Sequence, residues 1–196
     1  MSTPHVEVSG LGVSVGAVPI VADIAFAVPR GQVLALIGES GSGKSTTALA
    51  LMGWCRHGGH IAGGSIRVGD MAVDAMDESA LAAIRGRRIA YIAQSAAAAF
   101  NPSRRIMAQV IEPALIHKTL PREQAEAKAV ELFRALALPS PETIGDRYPH
   151  QVSGGQLQRL MAAMALMCWP VAQATTASLA AQALIWLTTR KPQATW

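Results

Sequence analysis

Nine consecutive residues, Gly38-Glu39-Ser40-Gly41-Ser42-Gly43-Lys44-Ser45-Thr46, constrain this chain more than any other feature. They follow an apolar run, Val33–Ile37, that suits a strand buried on both faces. They precede Ser45–Trp54, whose apolar spacing suits a helix. Strand, glycine-rich loop and helix form the context in which this pattern makes a phosphate-binding loop. Its glycines let successive backbone N–H groups turn inward as an anion cradle, and the helix start adds the positive end of its dipole. In such a loop Lys44 reaches the β- and γ-phosphates of a nucleotide and the Ser45 hydroxyl holds Mg²⁺. The loop does not say which kind of nucleoside triphosphatase it serves.

The charge pattern narrows the field. All 13 acidic residues lie between Glu7 and Asp146, and 13 of the 17 Lys and Arg lie in the same stretch. After Asp146 come four basic residues, Arg147, Arg159, Arg190 and Lys191, and no carboxylate, so the net charge of +4 belongs to the last 50 residues. A balanced body offers no basic stripe for nucleic acid, and no site beyond Asp146 can use an Asp or Glu. With 51% hydrophobic residues a buried core is expected. Cys55 and Cys168 have neither metal nor redox spacing and fit a reducing compartment. The opening MSTPHVEVSG lacks the features of a secretory signal.

Along the chain, His5–Ser9, Leu11–Val15 and Ile20–Val28 read as strands, and Gly63–Val73 as a hairpin around Gly69-Asp70. Asp77 caps a short helix reaching Arg85, and Arg88–Ala93 (RIAYIA) reads as a second buried strand ending at Gln94. Helical patterns then cover Arg104–His117, Arg122–Leu138 and Gly154–Cys168, the middle one opened by Pro121 with Ala125, Ala129, Phe133 and Leu136 on one face.

A second signal lies in Tyr148-Pro149-His150-Gln151-Val152-Ser153-Gly154-Gly155-Gln156-Leu157-Gln158-Arg159. Alone, SGGQ reads equally well as a helix start with a serine cap. Following a phosphate-binding loop and a helical stretch, Val152–Gln156 resembles the LSGGQ signature of ABC transporter ATPases, with Val in place of Leu. The resemblance implies that Ser153, Gly154, Gly155 and Gln156 bind the γ-phosphate of ATP held by a partner subunit, in trans, across a head-to-tail dimer. It also gives Gln94 a role, touching the metal and the attacking water from a loop that meets the membrane subunits. Ser95–Pro102, with its Asn101-Pro102 ending, the phrase GESGSGKST and the YPHxxSGGQ run together resemble the peptide/nickel importer branch. The likeness spans about Val6 to Met167.

Two departures stand against that pattern. The family's aromatic residue that stacks on adenine is replaced by Val15, which removes roughly 1–3 kcal/mol of stacking. After the signature helix the family continues with an apolar strand ending in Asp-Glu and, later, a switch histidine. Here Cys168-Trp-Pro-Val-Ala-Gln-Ala-Thr-Thr-Ala-Ser-Leu follows, without any carboxylate, and no histidine lies beyond His150. General-base and metal-ligand work needs an ionisable group in reach, so hydrolysis is expected to be impaired. From Leu160 to Thr189 no residue is charged, yet Pro170, Gln173, Thr175, Thr176, Ser178 and Gln182 oppose a membrane span. The simultaneous loss of every later motif fits a reading frame or gene disrupted near Cys168–Val171.

The expected fold is therefore an α/β phosphate-binding-loop core of ABC type, with an N-terminal antiparallel β portion, a helical insertion and the C-terminal part of the core missing. Residues 1–102 form the core with its β portion, 103–168 the helical subdomain with the signature, and 169–196 an aberrant tail. The resemblance implies ATP and Mg²⁺ as cofactors, with Gly38, Ser40, Gly41, Ser42, Gly43, Lys44, Ser45 and Thr46 on the nucleotide and Ser45 and Gln94 on the metal. It further implies permease subunits and a second ATP-binding subunit as partners, no nucleic acid, and a peripheral place on the cytoplasmic face of the inner membrane. A degenerate half of a heterodimer and a non-functional remnant are the competing expectations.

Overall fold

The computed structural model describes residues 4–56 and 58–169. They divide into two compact units, one comprising the described residues up to Ala82 and the other beginning at Ala83.

The first unit is built on a four-stranded antiparallel sheet of order β2-β1-β3-β4, from β1 (Pro4–Val15), β2 (Val18–Pro29), β3 (Gly59–Val68) and β4 (Met71–Ala72). The two strands expected at His5–Ser9 and Leu11–Val15 are one strand with a bulge between them. Its buried residues run Val6, Val8 and then Leu11, Val13, so the parity of the inward face switches in the middle. Both ladders shift register at that place, between Val8 and Leu11 against β2 and between Ser9 and Gly12 against β3. The extra residue keeps the apolar side chains on one face although their spacing in sequence changes.

The bulge rests on a close backbone approach. Gly10 has φ +61, Gly64 on β3 has φ +89, and a Cβ added to Gly64 would lie 2.5 Å from the Gly10 carbonyl. Only glycine fits there. Across the hairpin expected around Gly69-Asp70, Arg67 pairs with Ala72 and Val68 with Met71. Just beyond it, Asp74 Oδ1 accepts the Ile66 N–H at 2.8 Å. A 3-10 turn at Val73–Ala75 and helix α1 (Lys44–Ala50) belong to this unit, and helix α2 (Glu78–Ile84) begins in it and runs past Ala82. As expected, Asp77 caps α2, its Oδ1 accepting the Ala80 N–H at 2.8 Å.

Two expected strands do not form. Val33–Ile37 carries only a single bridge residue, Ala35, and Val33 and Ile37 are 50% and 90% exposed. Arg88–Ala93 has one isolated bridge, between Arg85 and Ile89. A strand buried on both faces needs ladder partners on either side, and among the described residues no parallel sheet supplies them.

The second unit is helical: α3 (Ala96–Ala99), α4 (Ile106–Val110), α5 (Glu112–Ile116), α6 (Arg122–Ala135) and α7 (Gly154–Leu166). The expected helix Arg104–His117 is split, because Pro113 in the first turn of α5 cannot donate a backbone bond to the turn before it. Ala125, Ala129, Leu132 and Phe133 of α6 are fully buried with Ile106, Ala114, Ile144 and Leu160, whereas Leu136 serves as the α6 C-cap and is half-buried. No helix among the described residues is long and apolar enough to cross a membrane. The tail expected at 169–196 lies, apart from Trp169, outside the described residues.

Replacing Gly64 by Ala is expected to lower the unfolding free energy of the full chain by more than about 1–3 kcal/mol, because the clash with the Gly10 backbone adds to the strain at φ +89. Gly63→Ala has nothing within 4 Å of the added methyl and should change stability by less than about 0.5 kcal/mol. Urea unfolding of both variants checks the contrast.

Candidate nucleotide-binding site

The loop Gly38–Gly43 leads directly into α1, and three of its glycines are there for stated reasons. Gly41 and Gly43 adopt φ +89 and +84. A Cβ on Gly43 would meet Val21 Cγ2 of β2 at 2.7 Å, and one on Gly38 would meet Ser42 Oγ at 2.7 Å. The loop is thus folded tightly on itself and against β2. It is closed by a turn in which the Ser42 N–H donates to Glu39 O at 3.2 Å. Thr47, which the motif does not include, fastens the helix end: its hydroxyl and its N–H both donate to Gly43 O, at 3.0 and 2.8 Å.

Lys44 is the chemical centre. Only 8% exposed, its ammonium donates to Gly38 O at 2.8 Å, to Glu39 O at 2.5 Å and to Ser42 Oγ at 3.1 Å. An ammonium has three N–H bonds, and all three are spent on the loop itself. The cation is held where an incoming phosphate could take over one or more of these acceptor positions at small conformational cost. Ser45 and Thr46 sit half-buried in the first turn of α1, while Ser40, Gly41 and Ser42 are exposed.

In the second unit, Gln94 lies in an exposed bend after Arg88–Ala93 rather than at a strand end. The neighbouring Ala93 N–H lies 3.2 Å from Met161 Sδ of α7. The Asn101-Pro102 turn that follows is held by Gln109, a buried side chain that sequence reasoning passed over. Its Oε1 accepts the Asn101 N–H at 2.8 Å, and its Nε2 donates to Asn101 O at 3.1 Å and to Arg104 O at 2.9 Å. A glutamine eight residues beyond a turn has no local signature, so only the fold reveals this tie.

The signature segment opens a helix with a serine cap, as its sequence allowed. Ser153 is the N-cap of α7, with its Oγ accepting the Gln156 N–H at 3.3 Å while Gln156 Oε1 accepts the Ser153 N–H at 2.8 Å. This reciprocal capping box leaves the N–H groups of Gly154 and Gly155, the first two of the helix, without intrahelical acceptors. Both glycines are exposed, neither has positive φ, and a Cβ on either would meet nothing within 4 Å. Among the described residues nothing requires glycine there, although glycine is a poorer helix former than alanine.

At the other end of α7, Lys128 donates to Met167 O at 2.6 Å and to Trp169 O at 2.5 Å. Burial draws its pKa below that of an ordinary amine, partly countered by Cys168 and Glu131. Burial likewise raises the Cys168 thiol, against the pull of a Thr119 hydrogen bond and the Lys128 and Arg87 charges. Cys55 is raised by burial alone. Among the described residues no cluster of His, Cys, Asp and Glu forms a metal site.

A self-folded phosphate-binding loop and a capped, glycine-opened signature helix define an ATP-binding cassette. The chain belongs to the ABC transporter family, whose model matches residues 21–172. It is 38% identical over 154 residues to the oligopeptide transport ATP-binding protein AppD of Bacillus subtilis, covering 78% of this chain and 47% of that one. It is 37% identical over 155 residues to the oligopeptide transport ATP-binding protein OppD of Escherichia coli, covering 79% and 46%. The chain thus spans about half the length of these curated relatives. In fold it is similar to the ATP-binding cassette MJ0796, solved as a dimer in a post-hydrolysis state with ADP and Pi. That match has a TM-score of 0.71 and 22% identity, covering 84% of this chain and 70% of that one.

Because both thiols are pushed up, iodoacetamide should alkylate them slowly at neutral pH, with a rate that keeps climbing above about pH 8.5, the ordinary thiol pKa. A rate profile levelling off at or below that pH, followed by mass spectrometry, would contradict the assignment.

Proposed function

We propose that the chain is the ATP-binding component of an importer for dipeptides, oligopeptides or a nickel-like solute. ATP phosphates lie on Gly38, Ser40, Gly41, Ser42, Gly43, Lys44, Ser45 and Thr46, and Ser153–Gln156 is offered to ATP held by a second ATP-binding subunit. The observation that carries this is Lys44, a buried ammonium whose acceptors all belong to the phosphate-binding loop. The names of the relatives support a peptide solute, and the dimeric cassette with ADP and Pi supports ATP as the nucleotide. The Ser45 hydroxyl is a hard donor of the kind Mg²⁺ accepts alongside phosphate oxygens and water. Mg²⁺ there would neutralise phosphate charge. On this reading the chain works at the cytoplasmic face of the inner membrane against permease subunits.

Hydrolysis is the weak step. Where the family's Asp-Glu strand would follow the signature helix, Cys168–Leu179 carries no carboxylate to act as general base or to hold metal-bound water, so turnover should fall far below that of a member with that pair. That same observation favours a second reading, a degenerate half of a heterodimer that binds ATP and lends Ser153–Gln156 to a competent partner. A partner-dependent rise in ATPase, abolished by Ser153→Arg, would select it. Efficient turnover by the purified chain would overturn the claim of impaired hydrolysis.

Lys44→Ala should weaken ATP binding by about 10- to 100-fold, the worth of charged hydrogen bonds to phosphate. Isothermal titration with ATP on the full chain measures it. An unchanged affinity would remove Gly38–Thr46 from the binding site.

A further inference from the structure

The capping box that opens α7 is internal to its own turn, so it shapes that turn without deciding where the helix end sits. Buried Leu157, Leu160 and Met161 pack the body of α7, and Arg159, one helical turn beyond Gly155, adds a polar contact to α6. Its Nη1 donates to Ala137 O at 2.5 Å and lies 3.4 Å from Leu136 O, while its Nε lies 3.4 Å from Gly155 O. Leu136 is the C-cap of α6, and Ala137 follows it in the left-handed region at φ +52. One guanidinium therefore joins the negative end of a 14-residue helix to the carbonyl of the second signature glycine.

The far side of this bridge is itself held firmly. The Ala137 N–H donates to Arg134 O at 3.0 Å and the Leu138 N–H to Phe133 O at 2.9 Å, with Phe133 fully buried. The Arg134–Glu142 ion pair, at 2.8 Å, ties down the loop that continues from there. Arginine suits the task because its planar fork can serve carbonyls on two elements at once, whereas a lysine ammonium acts as a point charge.

We infer that Arg159 is a positioning residue of the signature: it fixes where the free N–H groups of Gly154 and Gly155 stand, and so how they meet a phosphate carried by another subunit. The inference rests on the in-trans role proposed above for Ser153–Gln156. Arg159 does not touch the nucleotide; it acts through the Gly155 carbonyl and the end of α6.

The test compares the full unaltered chain with Arg159→Ala and Arg159→Lys. Amide hydrogen exchange reads local order, sedimentation velocity reads ATP-driven self-association, and titration of dilute protein reads ATP affinity at the Lys44 loop. Arg159→Ala should speed exchange across residues 153–158 and weaken association, each by roughly tenfold, the worth of about one lost hydrogen bond to a charged group. Exchange in β1 and α4 and the ATP affinity of the dilute chain should not move. Arg159→Lys, which keeps the charge but not the fork, should rescue neither. Unchanged exchange or unchanged association in Arg159→Ala overturns the inference, and so does full rescue by lysine. If the unaltered chain fails to associate with ATP, the in-trans reading for a homodimer falls, and the exchange result alone decides whether Arg159 holds the turn.

Discussion

An ammonium taken out of water must be given acceptors, and in the first unit the loop before α1 gives Lys44 three. Leaving such a charge buried and unpaired would cost several kcal/mol, so the loop backbone is bound to the position of this one nitrogen. The surrounding structure follows from meeting that demand. Gly38 must lack a side chain for Ser42 Oγ to come near, Gly43 must lack one to pack on Val21, and Gly41 must turn with positive φ. Thr47 then locks the Gly43 carbonyl onto the first turn of α1. The cradle is preformed by an internal cation rather than assembled by its ligand, which keeps the ordering cost of binding an anion low.

The second unit solves a related problem with neutral groups. A helix start carries N–H groups with no acceptor, and the Ser153–Gln156 pair satisfies two of them, its own, while leaving two exposed on glycines. At the other end of α7, the lysine on α6 accepts the duty of closing carbonyls, as Lys128 bonds Met167 O and Trp169 O. Between those ends, Arg159 ties the helix to the C-terminus of α6. Cations sit on helix C-termini and open amides on a helix N-terminus, the arrangement that helix electrostatics favours.

Much of this was legible in the sequence where a feature is local. The phosphate-binding loop, the Asp77 cap, the Gly69-Asp70 hairpin and the signature helix each declare themselves within about ten residues, because glycine conformations, caps and apolar periods are short-range causes. Long-range causes were not legible. Val33–Ile37 and Arg88–Ala93 have the composition of buried strands, but a strand exists only where a neighbour pairs with it, and composition does not carry the neighbour. Gln109 and Arg159 look like ordinary polar helix residues. Their importance lies largely in carbonyls of other segments, such as Asn101 O for Gln109 and Leu136 O and Ala137 O for Arg159, joined to them by folding alone. The bulge at Gly10 was visible only as a gap between two strands, since its meaning depends on Gly64 across the sheet.

That meeting of Gly10 and Gly64 gives the sheet a waist. Where two backbones touch without side chains between them, neither strand can gain or lose a residue without forcing the whole inward face of β1 to change sides. Length variation in this unit is therefore confined to its tips, such as the Gly16-Ala17 turn between β1 and β2, where Gly16 has open space around it. A peptide tag or fluorescent reporter joined at that turn would leave the register of both strands intact. The same insertion at the waist would dismantle the surface on which the phosphate-binding loop is laid.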